Sequence, residues 1–348
     1  MAAVAASSRA WTWRRILGYV GLLALLVYLA VAPTMLNNYR VFVIALIMIY
    51  ALSVHGFQVL IGWSGQIGLA HAGFFGLGAY GSALLMTEYE LNFFVTTMVI
   101  GLIAAVAGAI VGWPAVQLRG FFLAIATLAF GELIVRGFAE ARGLTGGGTG
   151  MSVPVFRVFD LNQTRSAYYL AYGFAIVGFF LLHRTLNGRL GRTLKAVRDV
   201  EIATGPMGIH APRYKLIAFS ISAFVASFAG ALYAQLITFI FPDQFVTHLL
   251  VTLLVMLLVG GVGSAAGSVI GAIFGVVIVE AFQGLGEQQR LAYAAALILV
   301  VRFLPGGIAS IPLRARESRW FRSRRGDGRA VPVTEPGGVA SRVGAKEA

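Results

Sequence analysis

The chain has 348 residues, 58% hydrophobic and only 12% charged, with 43 glycines, no cysteine and a net charge of +13. Soluble globular chains are about a quarter charged, so this composition excludes a soluble enzyme or nucleic-acid module and describes an integral membrane protein. Disulfides, thiolate metal sites and cysteine nucleophiles are excluded as well, and the surplus bases flank apolar runs, which is the positive-inside pattern.

Residues 1–15 form a polar head ending in Arg14 and Arg15. The uncharged run 16–36 reads as a retained first span, because Pro33 follows directly on the cleavage-like Ala30-Val31-Ala32. A second span covers 41–61, a glycine turn 62–66 and a third span 67–86. An acidic loop with Glu88 and Glu90 leads to a fourth span over 93–117, and Arg119 marks a short loop before a fifth over 121–139. A loop over 140–165 with glycines at 146–148 and 150 precedes the sixth span, 166–182, so residues 16–183 hold the first six spans. After the polar stretch 184–215 comes a seventh span, 216–239, and a turn at Pro242-Asp243. Residues 244–279 contain no Asp, Glu, Lys or Arg. They are too long for one helix across about 30 Å of hydrocarbon, and the Gly260-Gly261-Val262-Gly263 break divides them into the eighth and ninth spans. A short outside loop, 284–289, leads to a tenth over 290–304, closing the second apolar half, 216–304. The tail, 305–348, is basic, rich in Gly and Pro late on, and reads as disordered. Ten spans put the head, the middle loop and the tail on the same, cytoplasmic side, where the bases are.

The segment 62–80 (GWSGQIGLAHAGFFGLGAY) holds five glycines between Gly65 and Gly78, a poor composition for an isolated helix. Inside a bundle, glycines admit a neighbouring backbone or a break that exposes polar backbone to a pathway. Gln58, Ser64, Gln66, His71, Phe75 and Tyr80 lie on or beside this segment and are the candidate substrate-path residues; close packing around a capped turn explains the single residues as well. Gly263, Gly267, Gly271 and Gly275, four apart, predict one flat helix face for packing. Glu132 is the deepest acid in a predicted span, and Arg136, one turn on, can satisfy it. The five histidines (His55, His71, His183, His210, His248) have no metal-ligand spacing, and no metal site is expected.

The middle stretch 184–215 carries seven bases against Asp199 and Glu201. Leu190, Leu194 and Val197 recur at helical spacing with Arg192, Lys195 and Arg198 on other faces, predicting a short amphipathic helix. It is expected to continue through 199–203 until Gly205-Pro206 ends it. Such a helix can lie on anionic lipid or dock in a groove of a soluble partner. Gly191, Arg192, Lys195, Arg198, Glu201 and Gly208 are the candidate docking residues.

No G-x-x-x-x-G-K-[ST] occurs, so the chain has no phosphate-cradling loop of its own. No nucleophile–base or paired-carboxylate constellation marks it as an enzyme. Three readings follow: a transport subunit moved by an external motor, an ion-coupled carrier of a small polar solute with Glu132 as its acid, or a membrane anchor that uses its basic tail.

Segments in order along about residues 37–311 resemble the LivM-type permease subunits of branched-chain amino acid ABC importers. They are GWSGQIGLAHAGFFGLGAY (62–80), LRGFFLAIATLAFGE (118–132), LTGG (144–147), GRTLKAVRDVEIA (191–203), MGI (207–209), YKLIAFSISA (214–223), GGVGS (260–264) and PGG (305–307). The resemblance implies an all-α bundle of about ten transmembrane helices, similar to the type II ABC importer permease, in a bacterial inner membrane. It implies that 191–208 is the coupling loop, and that two ABC ATPase subunits, a second LivH-type permease and a periplasmic substrate-binding protein complete the machine. It implies no cofactor in this chain, ATP being bound by the partner subunits. Related permeases import urea, short amides or aromatic acids, which leaves the solute open. The chain departs from the family pattern at Gly68, Ala70 and Thr204-Gly205-Pro206, the last bearing on where the coupling helix ends.

Overall fold

Backbone in hydrocarbon must satisfy its own N–H and C=O groups, which makes the helix the form open to a long apolar run. The computed structural model of the chain follows this rule and describes residues 21, 24–118, 120–157, 161–282, 302, 307 and 308. The expected head, most of the tenth span, the 284–289 loop, nearly all of the tail and the start of the first span lie outside the described residues.

The helices are α1 (Ala24–Met35), α2 (Asn38–Gln58), α3 (His71–Tyr89), α4 (Phe93–Gln117), α5 (Phe121–Glu140), α6 (Arg142–Thr145), α7 (Gln163–Asn187), α8 (Arg189–Asp199), α9 (Glu201–Thr204), α10 (Ala211–Ile237), α11 (Thr247–Gly260) and α12 (Ala265–Ala281). Two short strands, β1 (Met151–Ser152) and β2 (Phe239–Ile240), pair antiparallel. Among the described residues, six stretches are long and apolar enough to cross a membrane: Asn38–Trp63, Phe93–Pro114, Phe121–Glu140, Gln163–Asn187, Ala211–Ile237 and Pro242–Gly260. An all-α membrane bundle therefore holds.

Burial separates centre from rim: within the apolar 18-residue core of each span, 67% is buried inside the protein for the α2 stretch and 61% for α10, against 28% for α5. α10 packs on α4, α3 and α2, and α2 packs in turn on α7 and α12. The rim helices turn Leu102, Ile103, Val106 and Ile110 of α4, Leu133 of α5, and Val177, Phe180 and Leu181 of α7 outward. That is the apolar surface a bilayer covers.

The structure corrects several expectations. α3 begins at His71, not at 67, because residues 65–70 form an irregular turn outside any helix. Gly65 sits at φ 70°, the Gly68 N–H bonds back to the Gln66 carbonyl at 3.0 Å, and the Leu69 N–H donates to Thr127 Oγ1 of α5 at 2.8 Å. These groups are satisfied by a turn and by a neighbour, so no further helical turn is needed. The amphipathic helix does not run on through 199–203. It stops at Val200, φ −147° and ψ 76°, and α9 starts afresh with Glu201 in its first turn, where a carboxylate favours the helix dipole. Gly263 is not on the α12 face. It lies at φ 82° in the turn before the Ser264 N-cap, a backbone conformation that favours glycine. Finally, Glu132 does not pair with Arg136. Its carboxylate accepts from Thr247 Oγ1 at 2.7 Å, and Arg136 points out of the bundle, exposed.

Candidate functional site

Three chain breaks meet at the α8 end of the bundle. The first follows α2, whose last turn widens into a π-helical turn, Val59–Trp63. Such turns leave carbonyls without partners. The second is Gly261-Val262-Gly263 between α11 and α12, and the third is the polar connection that holds α8 and α9.

Gln58 joins the first two. It is fully buried, its Nε2 donates to the Gly261 carbonyl at 2.8 Å, and its Oε1 accepts from the Gly263 N–H at 2.6 Å. The side-chain amide thus supplies one donor and one acceptor to backbone groups that the break orphans. The backbones touch as well: a Cβ on Gly62 would lie 2.7 Å from the Gly263 nitrogen. Arg198 joins the third. Its Nη1 donates to the Gly62 carbonyl at 2.6 Å, its methylenes lie over Gly65, and its Nε donates to Asp199 at 2.9 Å. That last pair is exposed and contributes about 0–1 kcal/mol at most. Lys195 Nζ stands 5.8 Å from the centroid of the Trp63 ring, within cation–π reach.

α8 presents the predicted amphipathic pattern. Gly191, Leu194 and Val197 are buried, and Arg192, Lys195, Arg198 and Asp199 are exposed. Gly191 is held so close that a Cβ there would sit 1.7 Å from the Leu186 carbonyl oxygen. Glu201 pairs with Lys215 of α10 at 2.5 Å, and Gly208 lies exposed in the turn after α9. Both ion pairs among the described residues therefore sit at this end. Val200 and Met207 are exposed beside them, 57% and 76%, an apolar element on an otherwise basic surface.

The candidate path residues divide. Ser64 and Gln66 bond to each other, and Gln66 Nε2 also reaches the Lys215 carbonyl at 3.3 Å. His71 is buried between helices: Nε2 lies 3.1 Å from both the Ser53 carbonyl and Ser53 Oγ, Nδ1 lies 3.1 Å from Ser222 Oγ, and the ring stacks on Phe57. A carbonyl can only accept, so the ring proton belongs on Nε2 and Nδ1 accepts from Ser222. Phe75 and Tyr80 are fully buried, Phe75 against Tyr233 and Tyr80 stacked on Phe138. Gly267, Gly271 and Gly275 face α11, where Gly260 and Met256 meet them.

Sequence reading missed the polar partners Ser53, Ser222, Ser268 and Thr127, and it missed Lys215. Ser268 receives His55, whose Nδ1 lies 3.2 Å from its Oγ. The signal was available for α2 alone, where Ser53, His55 and Gln58 interrupt an uncharged span. A cavity of about 510 Å³ opens at the other end of α2, between α2, α10, α11 and α12. Phe42, Leu46, Leu249 and Met256 line it, with Thr252 and Glu280 among its polar groups.

Residues 39–304 match the family described as the permease component of branched-chain amino acid transport systems. The chain belongs to this family. It is 36% identical over 250 residues to the high-affinity branched-chain amino acid transport system permease protein LivM of Escherichia coli, and 35% identical to that of Salmonella typhimurium, each match covering 64% of this chain and 59% of the relative. A probable LivM of Methanocaldococcus jannaschii is 26% identical over 131 residues, 37% of this chain and 38% of that protein. No solved structure matches the chain.

Proposed function

We propose that this chain is a transmembrane permease subunit of an ABC importer for branched-chain or related small amino acids. Two separate ATPase subunits would bind and hydrolyse ATP, a periplasmic binding protein would deliver the solute, and a LivH-type permease would form the other half of the path. The full bundle would have about ten spans in a bacterial inner membrane, with both termini cytoplasmic.

The observation that carries this reading is α8. Its apolar face is fixed to the bundle, its basic face is exposed, and Arg198 connects it to the end of α2. A helix held this way passes a push from outside into the spans, which is what a permease without a phosphate-binding loop needs. The relatives' names supply the solute class. The cavity beside α2 has the volume of a small-ligand site, whereas Phe75 and Tyr80 are packed shut in this conformation.

Purification of the chain from its native membrane in mild detergent tests the reading. Two P-loop ATPases and a second glycine-rich permease should accompany it. Recovery of the chain alone or as a homodimer, with no ATPase, would overturn it.

A further inference from the structure

Resting on that reading, we infer that Gln58 is a positioning residue for transport: its buried amide locks the end of α2 to the α11–α12 break, and Arg198 adds α8, so that these three elements shift as one body. Both polar atoms of the Gln58 amide are used, and both on backbone of a single break more than 200 residues away, at 2.8 and 2.6 Å. One turn earlier His55 repeats the tie, reaching Ser268 of α12. Gly62 and Gly263 leave no room for anything between the two breaks. Arg198 Nη1 holds the Gly62 carbonyl and lies 4.0 Å from where a Cβ on Gly263 would stand, so the guanidinium is fixed to the α2 side of the joint and stands beside the other.

A continuous helix would transmit a push along its own axis only. Here two helices are interrupted at the same level, and a side-chain amide replaces the missing backbone pairing across the gap. The joint is stiff while both bonds hold, and it carries a displacement of α8 into α2 and α12 together. Gln58 was a candidate for lining the solute path; its atoms are instead wholly engaged with protein.

The test uses the complete transporter, in proteoliposomes for uptake and in nanodiscs for distances. Gln58→Met keeps length and volume but removes both hydrogen bonds. Uptake per ATP hydrolysed is expected to fall about tenfold while hydrolysis stays within about twofold, within the usual range of coupling between sites. The chain has no cysteine, so spin labels at Val200→Cys and Val262→Cys, both exposed positions, report the distance across the joint. The unmutated protein should show one narrow distance with and without a bound ATP analogue, and Gln58→Met should broaden it. Arg198→Gln alters an exposed side chain that leaves folding intact, and it should broaden the same distance and lower the same ratio. An unchanged uptake-to-hydrolysis ratio in Arg198→Gln, or a labelled distance that changes with nucleotide in the unmutated protein, would overturn the inference. Absence of any ATPase partner would sink the importer reading instead, and the distance in Gln58→Met against the unmutated protein, measured without nucleotide, would still decide whether Gln58 locks the joint.

Discussion

The two ends of the bundle are held by different means. At the α8 end, long side chains reach across interrupted backbone: Gln58 to Gly261 and Gly263, Arg198 to Gly62, Lys215 to Glu201. At the opposite end the chain is stitched by backbone and by one saturated amide. β1 pairs with β2, and the Val153 N–H donates to the Thr238 carbonyl at 2.8 Å. Gln235 Oε1 accepts from the Phe156 N–H and its Nε2 donates to the Pro154 carbonyl, both at 2.9 Å. Tyr168 and Tyr172 donate to the Leu29 and Leu26 carbonyls of α1. The first arrangement rests on a few long side chains, those of Gln58 and Arg198 on glycine-rich breaks, and suits a unit that shifts as one body. The second has neighbouring segments knitted together, and suits a fixed cap.

The largest effect expected from breaking this contrast is at Gly191. Gly191→Asp would drive a side chain into the Leu186 carbonyl and lift α8 from the bundle. Uptake should drop about a hundredfold, an apparent loss near 2.7 kcal/mol, with the amount of inserted protein on membrane blots unchanged. Normal uptake in this variant would detach α8 from function.

Next in size is Thr252→Trp, which fills part of the cavity at the far end without touching the joint. If solute passes there, uptake falls about tenfold while ATP hydrolysis continues. Unchanged uptake would place the path elsewhere, against the partner permease.

Gln235→Leu sharpens the comparison from the capped end. It leaves the Phe156 N–H and the Pro154 carbonyl unpaired, costing about 1–3 kcal/mol for each group left buried. Thermal unfolding in detergent should shift down, yet uptake per ATP should match the unmutated protein. A buried glutamine at one end would then govern stability and a buried glutamine at the other would govern coupling. Loss of coupling in Gln235→Leu would erase the distinction.

Much of this architecture is legible in the sequence, for a physical reason: uncharged runs in hydrocarbon have one backbone solution. The span 93–117 and the break at 260–263 coincide with α4 and with the α11–α12 turn, because charge and glycine mark them directly. The amphipathic face of α8 was likewise readable from Leu190, Leu194 and Val197. What could not be read were the long-range partners. Nothing local to Gln58 says that its acceptor is Gly261, and nothing local to His71 says that Ser222 faces it. Gly263 shares the four-residue spacing of Gly267, Gly271 and Gly275, and only its backbone angle removes it from their face. The Glu132–Arg136 spacing predicted a pair for the same reason, local geometry being visible in sequence and a tertiary competitor such as Thr247 not.

Glu132 gives the smallest expected effect and bears on the ion-coupled alternative. A carboxylate that carries a coupling proton loses transport when made an amide, because the amide cannot take up and release that proton. In this structure Glu132 accepts a hydrogen bond from Thr247 at 2.7 Å, on α5, the most peripheral of the long spans. Glu132→Gln keeps an oxygen that can accept from the Thr247 hydroxyl, so the contact survives. Uptake should stay within about twofold, a difference below 0.5 kcal/mol, and should remain insensitive to a protonophore when ATP is supplied. Severe loss in Glu132→Gln, together with collapse of uptake on adding the protonophore, would move the driving force from the α8 end to the rim of the bundle.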